Sequence, residues 1–403
     1  MRKILLLFCF ISSFLSCIKN KEPKHKLREA GKISVINLKH LKKNIVHVDS
    51  IYDNFRYIKL ESTPNSIIGK YSKIKFDNDT IFVLESSNSQ QCIFAFDLNG
   101  KFLFKINAKG KGPGEYQKIN DFYIDTRSKH IGVLFNSKIL KYSFNGQYIG
   151  ELNFKDQYVS KIEFSNEDLY LYKSPNCKTK SCYAFSKVNS STGSVFYEDY
   201  PMSKEISQFP YNKGDYLAND SENVFINFLY NDTIYFAAKN HIQPLYLLDF
   251  GKSKLPQNIF NKAISKADKF SIMDLYLNKE TYTGFGLNRF NISKDYLFLL
   301  FNKGMETFNT IYSIKSKKSK IFNGFYFQKN VLLGSGFYRI NEKTFCSVLD
   351  ITEAIRIKKE DESDGILEKS KSFDSRRVDK YDFLKKLKNN DNNILVLFDI
   401  KEF

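Results

Sequence analysis

The sequence contains no Trp and only 4 Met, 6 Cys, 8 Pro and 19 Gly in 403 residues. So little Gly and Pro excludes collagen-like and low-complexity chains, and so little Cys excludes a disulfide scaffold. Beyond the first 16 residues no stretch approaches ~18 uninterrupted apolar residues, so nothing further along reads as a membrane-spanning helix. Signatures of chemistry are equally scarce. The five His (His25, His40, His47, His130 and His241) show no HExxH spacing, and no zinc pattern accompanies them. Asp77 and Asp79 lie in a turn with no EF-type ligand run behind it. Gly334-Ser-Gly336 lacks both spacer residues of a nucleophile elbow. The sequence therefore designates no catalytic residue, no metal ligand and no cofactor.

Aromatic residues are what the chain has in quantity: 38 Phe and 25 Tyr, 16% in all with Tyr and Phe alone. That content excludes disorder as a description of the whole and favours strands over helices. The length suits either a few ordinary domains or one large repeat-built β domain. A net charge of +18 comes from Lys scattered along the chain rather than gathered in one stripe, which reads as a solvated basic surface, with anionic glycan or lipid headgroups as the sharper alternative, and not as a nucleic-acid footprint.

The N-terminus supplies an address. Met1-Arg2-Lys3 is basic, residues 4–11 are apolar, and Leu15-Ser16-Cys17 follows. A basic start and a short apolar run read as an export signal. The Leu-Ser-Cys ending resembles a bacterial lipobox, which implies cleavage after residue 16 and lipidation of Cys17. Loss of residues 1–16 lowers the net charge from +18 to +16. Residues 17–44 are expected to be the lipidated Cys and a polar tether, with the folded domain over 45–403. With Cys9 removed and Cys17 acylated, Cys92, Cys177, Cys182 and Cys346 remain. Cys177 and Cys182 flank a turn-rich stretch where an oxidising compartment permits a local disulfide. Cys92 and Cys346 sit in apolar runs as buried thiols.

Two segments repeat. Phe96-Asp-Leu-Asn-Gly-Lys-Phe102 is matched by Tyr142-Ser-Phe-Asn-Gly-Gln-Tyr148, and their Asn-Gly pairs, 46 residues apart, predict type I′ hairpins. Asn78-Asp-Thr-Ile-Phe82 is matched by Asn231-Asp-Thr-Ile-Tyr235. Weaker copies near residues 129, 168, 295 and 343 make six turn-to-strand registers. Their mean interval of about 53 residues is close to the ~40–50 residue unit of a propeller blade. The pattern predicts an all-β fold, a six-bladed β-propeller, with strands such as 74–76, 81–84, 93–96 and 102–106 in one blade. Phe55–Leu60 and Ile394–Ile400 would close the ring. Apolar spacing at Ile259, Phe260, Ala263, Ile264 and Ala267 predicts a small inserted helix over 257–280. Alternating charge over 358–393 predicts an excursion in the last blade.

Phe55-Arg-Tyr-Ile-Lys-Leu-Glu61, Ile68-Gly69, Lys109-Gly-Lys-Gly-Pro-Gly-Glu-Tyr116, Tyr230-Asn-Asp-Thr-Ile-Tyr235 and Pro244-Leu-Tyr-Leu-Leu-Asp-Phe-Gly-Lys252 together resemble the six-bladed β-propeller lipoproteins of Gram-negative anaerobes. The likeness spans roughly residues 45 to 400, and the charged insert near 357–392 departs from it. It implies an NHL-like propeller in the cell envelope, lipid-anchored to the outer membrane, with no general biochemical activity attached. Ile18-Lys-Asn-Lys-Glu22 lacks the acidic run that often marks surface export in related lipoproteins, so the anchor is expected to face the periplasm.

The Gly-rich loop 110–115 matches no phosphate-binding motif and reads as an inter-blade connection. If it binds a ligand, Lys109, Lys111, Glu115 and Tyr116 are the groups it presents. Two functions compete: a binding or scaffold propeller for a glycan, peptide or envelope protein, and a carbohydrate-active hydrolase or lyase with its site at the channel mouth. The membrane, through the N-terminal lipid, is the first expected partner, and nucleic acid is excluded by compartment.

Overall fold

Alternation of apolar and polar side chains, broken at many turns by Asn, Gly or Lys at positive φ, cuts this chain into short strands. The computed structural model describes residues 33–403 except 89, 155–157, 174–181, 203–213, 257, 260, 262–286, 328–330, 333–336 and 364–385. The N-terminal segment gives β1 (Ser34–Asn37), β2 (Ile45–His47) and β3 (Tyr52–Lys59). Blade 1 holds β4 (Lys73–Asp77), β5 (Thr80–Ser86), β6 (Gln91–Asp97) and β7 (Phe102–Ile106). Blade 2 holds β8 (Asp121–Asp125), β9 (His130–Phe135), β10 (Lys138–Ser143) and β11 (Tyr148–Asn153). Blade 3 holds β12 (Val159–Ser165), β13 (Asp168–Lys173), β14 (Tyr183–Asn189) and β15 (Val195–Pro201). Blade 4 holds β16 (Leu217–Asn219), β17 (Val224–Asn227), β18 (Thr233–Ala237) and β19 (Ile242–Asp249). Blade 5 holds β20 (Leu287–Ile292), β21 (Tyr296–Lys303), β22 (Glu306–Ser313) and β23 (Ser319–Phe322). A small sheet pairs β24 (Gly324–Phe327) with β25 (Val331–Leu332).

Blade 6 is assembled from both ends of the chain. Its order is β26 (Tyr338–Arg339), β27 (Thr344–Leu349), β28 (Ile394–Ile400) and then β3. In that last pairing Lys59 stands opposite Ile394 and Tyr52 opposite Ile400, so the predicted closure of the ring is present. Beside it, Asn392 is buried. Its Nδ2 donates to Glu61 O and Ser66 O, both at 2.9 Å, and its Oδ1 accepts from Ile68 N at 2.9 Å.

Both faces of each blade are covered by neighbours, so central strands bury apolar side chains on both faces. Phe82, Ile93, Phe122 and Val133 fill the space between blades 1 and 2. Ile81, Phe94, Leu395 and the free thiols Cys92 and Cys346 fill that between blades 6 and 1. Each fully buried side chain of this size contributes roughly 1.5–3 kcal/mol. Burial pushes both thiols upward in pKa. Cys182 is disulfide-bonded, whereas Cys177 and Cys17 lie outside the described residues.

Three readings of the sequence change. The Asn-Gly hairpins are not type I′: Gly100 and Gly146 alone have positive φ, +83° and +82°. Gly100 N donates to Asp97 O, Asp97 N to Lys101 O, and the register slips between Ala95 and Phe96. That is the three-residue loop with a Gly bulge, which needs positive φ at one residue only. Next, five of the six turn registers join the first and second strands of a blade, but Asn231-Asp232 joins β17 to β18, the second and third. The corresponding turn of blade 4 is 220–223, held by Asp220 Oδ1 on Glu222 N and Asn223 N. Finally, the folded body starts before residue 45. The expected tether includes β1, which lies parallel to β19 as a fifth strand of blade 4. The next strand, β2, lies parallel to β24. Ile36 and Leu38 are fully buried there, since Ser34-Val-Ile-Asn37 has the alternation of a strand.

The expected helix over 257–280 falls almost wholly outside the described residues. The small helix that is described, α1 (Ile351–Ser363), opens the charged excursion between β27 and β28, with Ala354 anchoring it to the core.

Candidate ligand-binding site

The first strands of the blades meet one another at the axis of the ring, β8 with β12, β12 with β16, β16 with β20, β20 with β26 and β26 with β4, and most of them carry charge. In β4, alternation puts Lys73, Lys75 and Asp77 on one face. Charged groups in so enclosed a place must be paired, and their pairings run around all six blades. Lys73 Nζ lies 2.7 Å from Asp121 Oδ1, and Asp121 Oδ2 accepts from Ile162 N of blade 3 at 3.0 Å. Lys161 of blade 3 lies 3.1 Å from Asp215 Oδ1 at the entry to blade 4. Arg289 of blade 5 donates its Nε to Asp215 Oδ2 at 2.8 Å, and its guanidinium carbon sits 4.7 Å from the ring centre of Tyr338 in blade 6.

Two longer spans lie over this circuit. Lys75 reaches past blade 2 to both oxygens of Glu163, at 2.7 and 3.0 Å. Arg339 reaches past blade 5 to Asn219 Oδ1 and Ser221 Oγ, both at 3.0 Å, with Glu342 at 3.3 Å. Between them opens a cavity of about 440 Å³, into which Arg289, Asp215, Phe76 and Phe164 also face. Its rim is made by the turns at 77–78, 125–127, 165–167 and 219–221.

Electrostatics fixes the protonation of these groups. Burial alone would raise the Asp215 carboxyl, but Lys161, Arg289 and Lys73 hold it well below the usual carboxylate range. Burial also disfavours the Lys73 ammonium, yet Asp121, Glu163 and Asp215 outweigh it and raise its pKa. Lys75 goes the other way, lowered by burial with Lys73 adding to the effect against Glu163.

Behind the rim, Tyr123 packs on Phe164 with ring centres 5.3 Å apart, and its hydroxyl lies 3.1 Å from His130 Nε2. Gly132 makes room for that ring, since a Cβ there would fall 2.0 Å from Tyr123 Cε1.

The loop singled out from the sequence is elsewhere, at the opposite end of β8. Lys109 and Lys111 are exposed and Tyr116 is buried. The Tyr116 hydroxyl lies 2.9 Å from Gln91 O and 3.0 Å from Ile106 O. Glu115 Oε2 accepts from Gly112 N at 2.7 Å. None of these four lines the cavity. The residues that do gave one readable signal, the charge alternation Lys73-Ile-Lys75; Asp215 lies outside any strand pattern and gave none. Among the described residues no group of three or more His, Cys, Asp or Glu is placed to hold a metal.

Fold and cavity together define a six-bladed β-propeller with a polar pocket at its axis. The chain belongs to the family described as a domain of unknown function, DUF4934, whose sequence model matches residues 33–399. It is similar in structure to the "Putative exported protein" of Bacteroides fragilis, with a TM-score of 0.70 at 19% identity, covering 92% of this chain and 100% of that one. More distant are the WD40 repeats of RRP9 (TM-score 0.43, 10% identity, 89% and 100% covered). The extracellular domain of a Bacteroides thetaiotaomicron one-component system is as remote (0.39, 11%, 73% and 32%). At these identities the likeness is one of fold. No curated protein matches the chain.

Proposed function

We propose that this protein is a binding propeller of the bacterial cell envelope, anchored by a lipid on Cys17, that holds a polar organic ligand at its channel mouth. The carrying observation is the cavity of about 440 Å³, a size and concavity suited to a small ligand, with charged, amide and aromatic groups converging from several blades. The export-signal pattern at the N-terminus supports the compartment. So does the description of the Bacteroides fragilis protein of like fold as exported.

The rival reading, a carbohydrate-active hydrolase or lyase at the same mouth, requires a carboxyl poised to donate or take a proton near neutral pH. Asp121, Glu163 and Asp215 are instead each engaged by cations, and Asp215 is held ionised far below neutrality. Screening the purified protein against glycan and peptide libraries tests the reading. Binding without release of products, weakened when Asn219 is replaced by Leu, is the expected result. Turnover that disappears on substitution of one Asp or Glu in a folded protein would replace it with the enzyme. For the anchor, Cys17→Ala should abolish palmitate labelling and release the protein from the membrane fraction.

A further inference from the structure

Two cations of the axial circuit share one acid. Lys73 has Asp121 and Lys75 has Glu163, but Lys161 and Arg289 share the single carboxylate of Asp215. Of these two cations Arg289 is the one that lines the cavity, with a fifth of its side chain exposed. Only Nε is spent on Asp215. Among the described residues its two amino groups meet no carboxylate or amide; the guanidinium lies over the Tyr338 ring and hydrogen-bonds that side chain, which still leaves N–H donors on the fork. A planar fork held from behind by an acid and from one side by a ring is fixed in place for a second, two-pronged acceptor. Around it the cavity presents Phe76 and Phe164, both half-buried, and the amides of Asn78, Asn219 and Asn291. Flat ring faces and amides are groups that take the C–H face and hydroxyls of a sugar.

We propose that the cavity binds an acidic saccharide, with Arg289 receiving the sugar carboxylate through its two amino groups. This rests on the binding reading above and names the ligand class for it. The carboxylate gives Arg289 a charged acceptor of its own, and neutral sugars are disfavoured because their hydroxyls replace its water with weaker, uncharged acceptors.

Calorimetry with three probes tests it: a galacturonic acid trimer, the neutral galactose trimer, and an acidic tripeptide with a free carboxyl terminus. The acidic trimer should bind at least ~10-fold tighter than the neutral one, a difference of about 1.4 kcal/mol, and more weakly as salt is raised. Arg289→Gln should erase that preference. Arg289→Lys, which keeps the charge and the Asp215 pair but not the fork, should retain only part of it, and serves if the Gln variant unfolds. Equal binding of the two trimers, or an acid preference untouched in Arg289→Gln, overturns the assignment. Binding of the tripeptide alone overturns the saccharide. If none of the three binds, this inference falls, while the cavity as a binding site is decided separately by the library screen and Asn219→Leu.

Discussion

Blades 1 and 6 are built alike and made differently. Blade 1 is one continuous stretch, residues 73–106, folded by local turns such as Asn78-Asp79 and Asn99-Gly100 that are visible in the sequence. Blade 6 joins residues 338–400 to residues 52–59, and its last pairing brings Tyr52 to Ile400. A contact between such distant residues forms only after most of the ring exists, because the closure entropy of so long a loop must be met first. The two blades are also directly coupled. Gly100, in the blade 1 turn, accepts from Glu61 N at 2.7 Å, and Glu61 Oε2 accepts from Phe102 N at 2.8 Å. A local hairpin thus becomes part of the dock for the closing strand.

Removing the closing partner should break that relation outright. Deletion of 394–403 takes away β28, strands β3 without a partner and exposes its edge; the expected result is loss of cooperative thermal unfolding, and a sharp transition near the wild-type midpoint would contradict it. Asp215→Asn comes next, at about 3–5 kcal/mol, since it leaves Lys161 and Arg289 enclosed without their acid. The carboxyl of Asp215 is depressed in the folded protein. Its contribution is therefore full above the ordinary carboxylate pKa near 4 and falls away progressively below it, toward the depressed folded value. Denaturant titrations should show wild type and variant far apart at pH 7 and the gap narrowing at pH 3. A gap independent of pH would mean the ion pairs contribute nothing.

The clip at the closure should be worth less. Asn392→Ala removes three buried hydrogen bonds and should cost about 2–4 kcal/mol; a urea midpoint within error of wild type would show closure to be independent of it. Gly100→Ala should cost about 2 kcal/mol, as the residue is at φ +83° and a Cβ would fall 2.1 Å from Lys59 O of the closing strand. Gly146→Ala has the same φ problem but its nearest neighbour stands at 3.2 Å, so the difference between the two isolates the cost of disturbing closure. Lys111→Ala, exposed on the opposite side of the ring from the cavity, should change stability by less than about 0.5 kcal/mol and leave ligand binding unaltered.

The same contrast explains what could be read in advance. Turns announce themselves locally: Asn-Gly at 99–100 and 145–146, Asn-Asp at 78–79. Six such registers gave the blade number, and Ile394–Ile400, apolar and β-branched, was legible as a strand. What local pattern does not carry is partnership. Asn231-Asp-Thr-Ile-Tyr235 copies the blade 1 motif yet occupies the following turn, because any polar turn before an apolar strand has that look. Ser34–Asn37 is too short to stand out from a Lys-rich segment, and only its pairing with β19 defines it. The cavity fared worst. Arg289, Asp215 and Arg339 come from three blades and share no motif, whereas Gly110–Glu115 has a conspicuous composition whose use is a turn.

The route of residues 34–59 around the rim bears on mechanics. If the chain is tethered through Cys17, any pull arrives from the N-terminal side and meets β1 first, then β2, and only then β3. The first two are single parallel strands laid on the outside of other sheets, a pairing slightly weaker per residue than the antiparallel one that seals the ring. Under tension they would let go before the seal is loaded, lengthening the leash while the six blades and their pocket stay whole. In a chain so anchored, the outer strands would serve as a mechanical fuse.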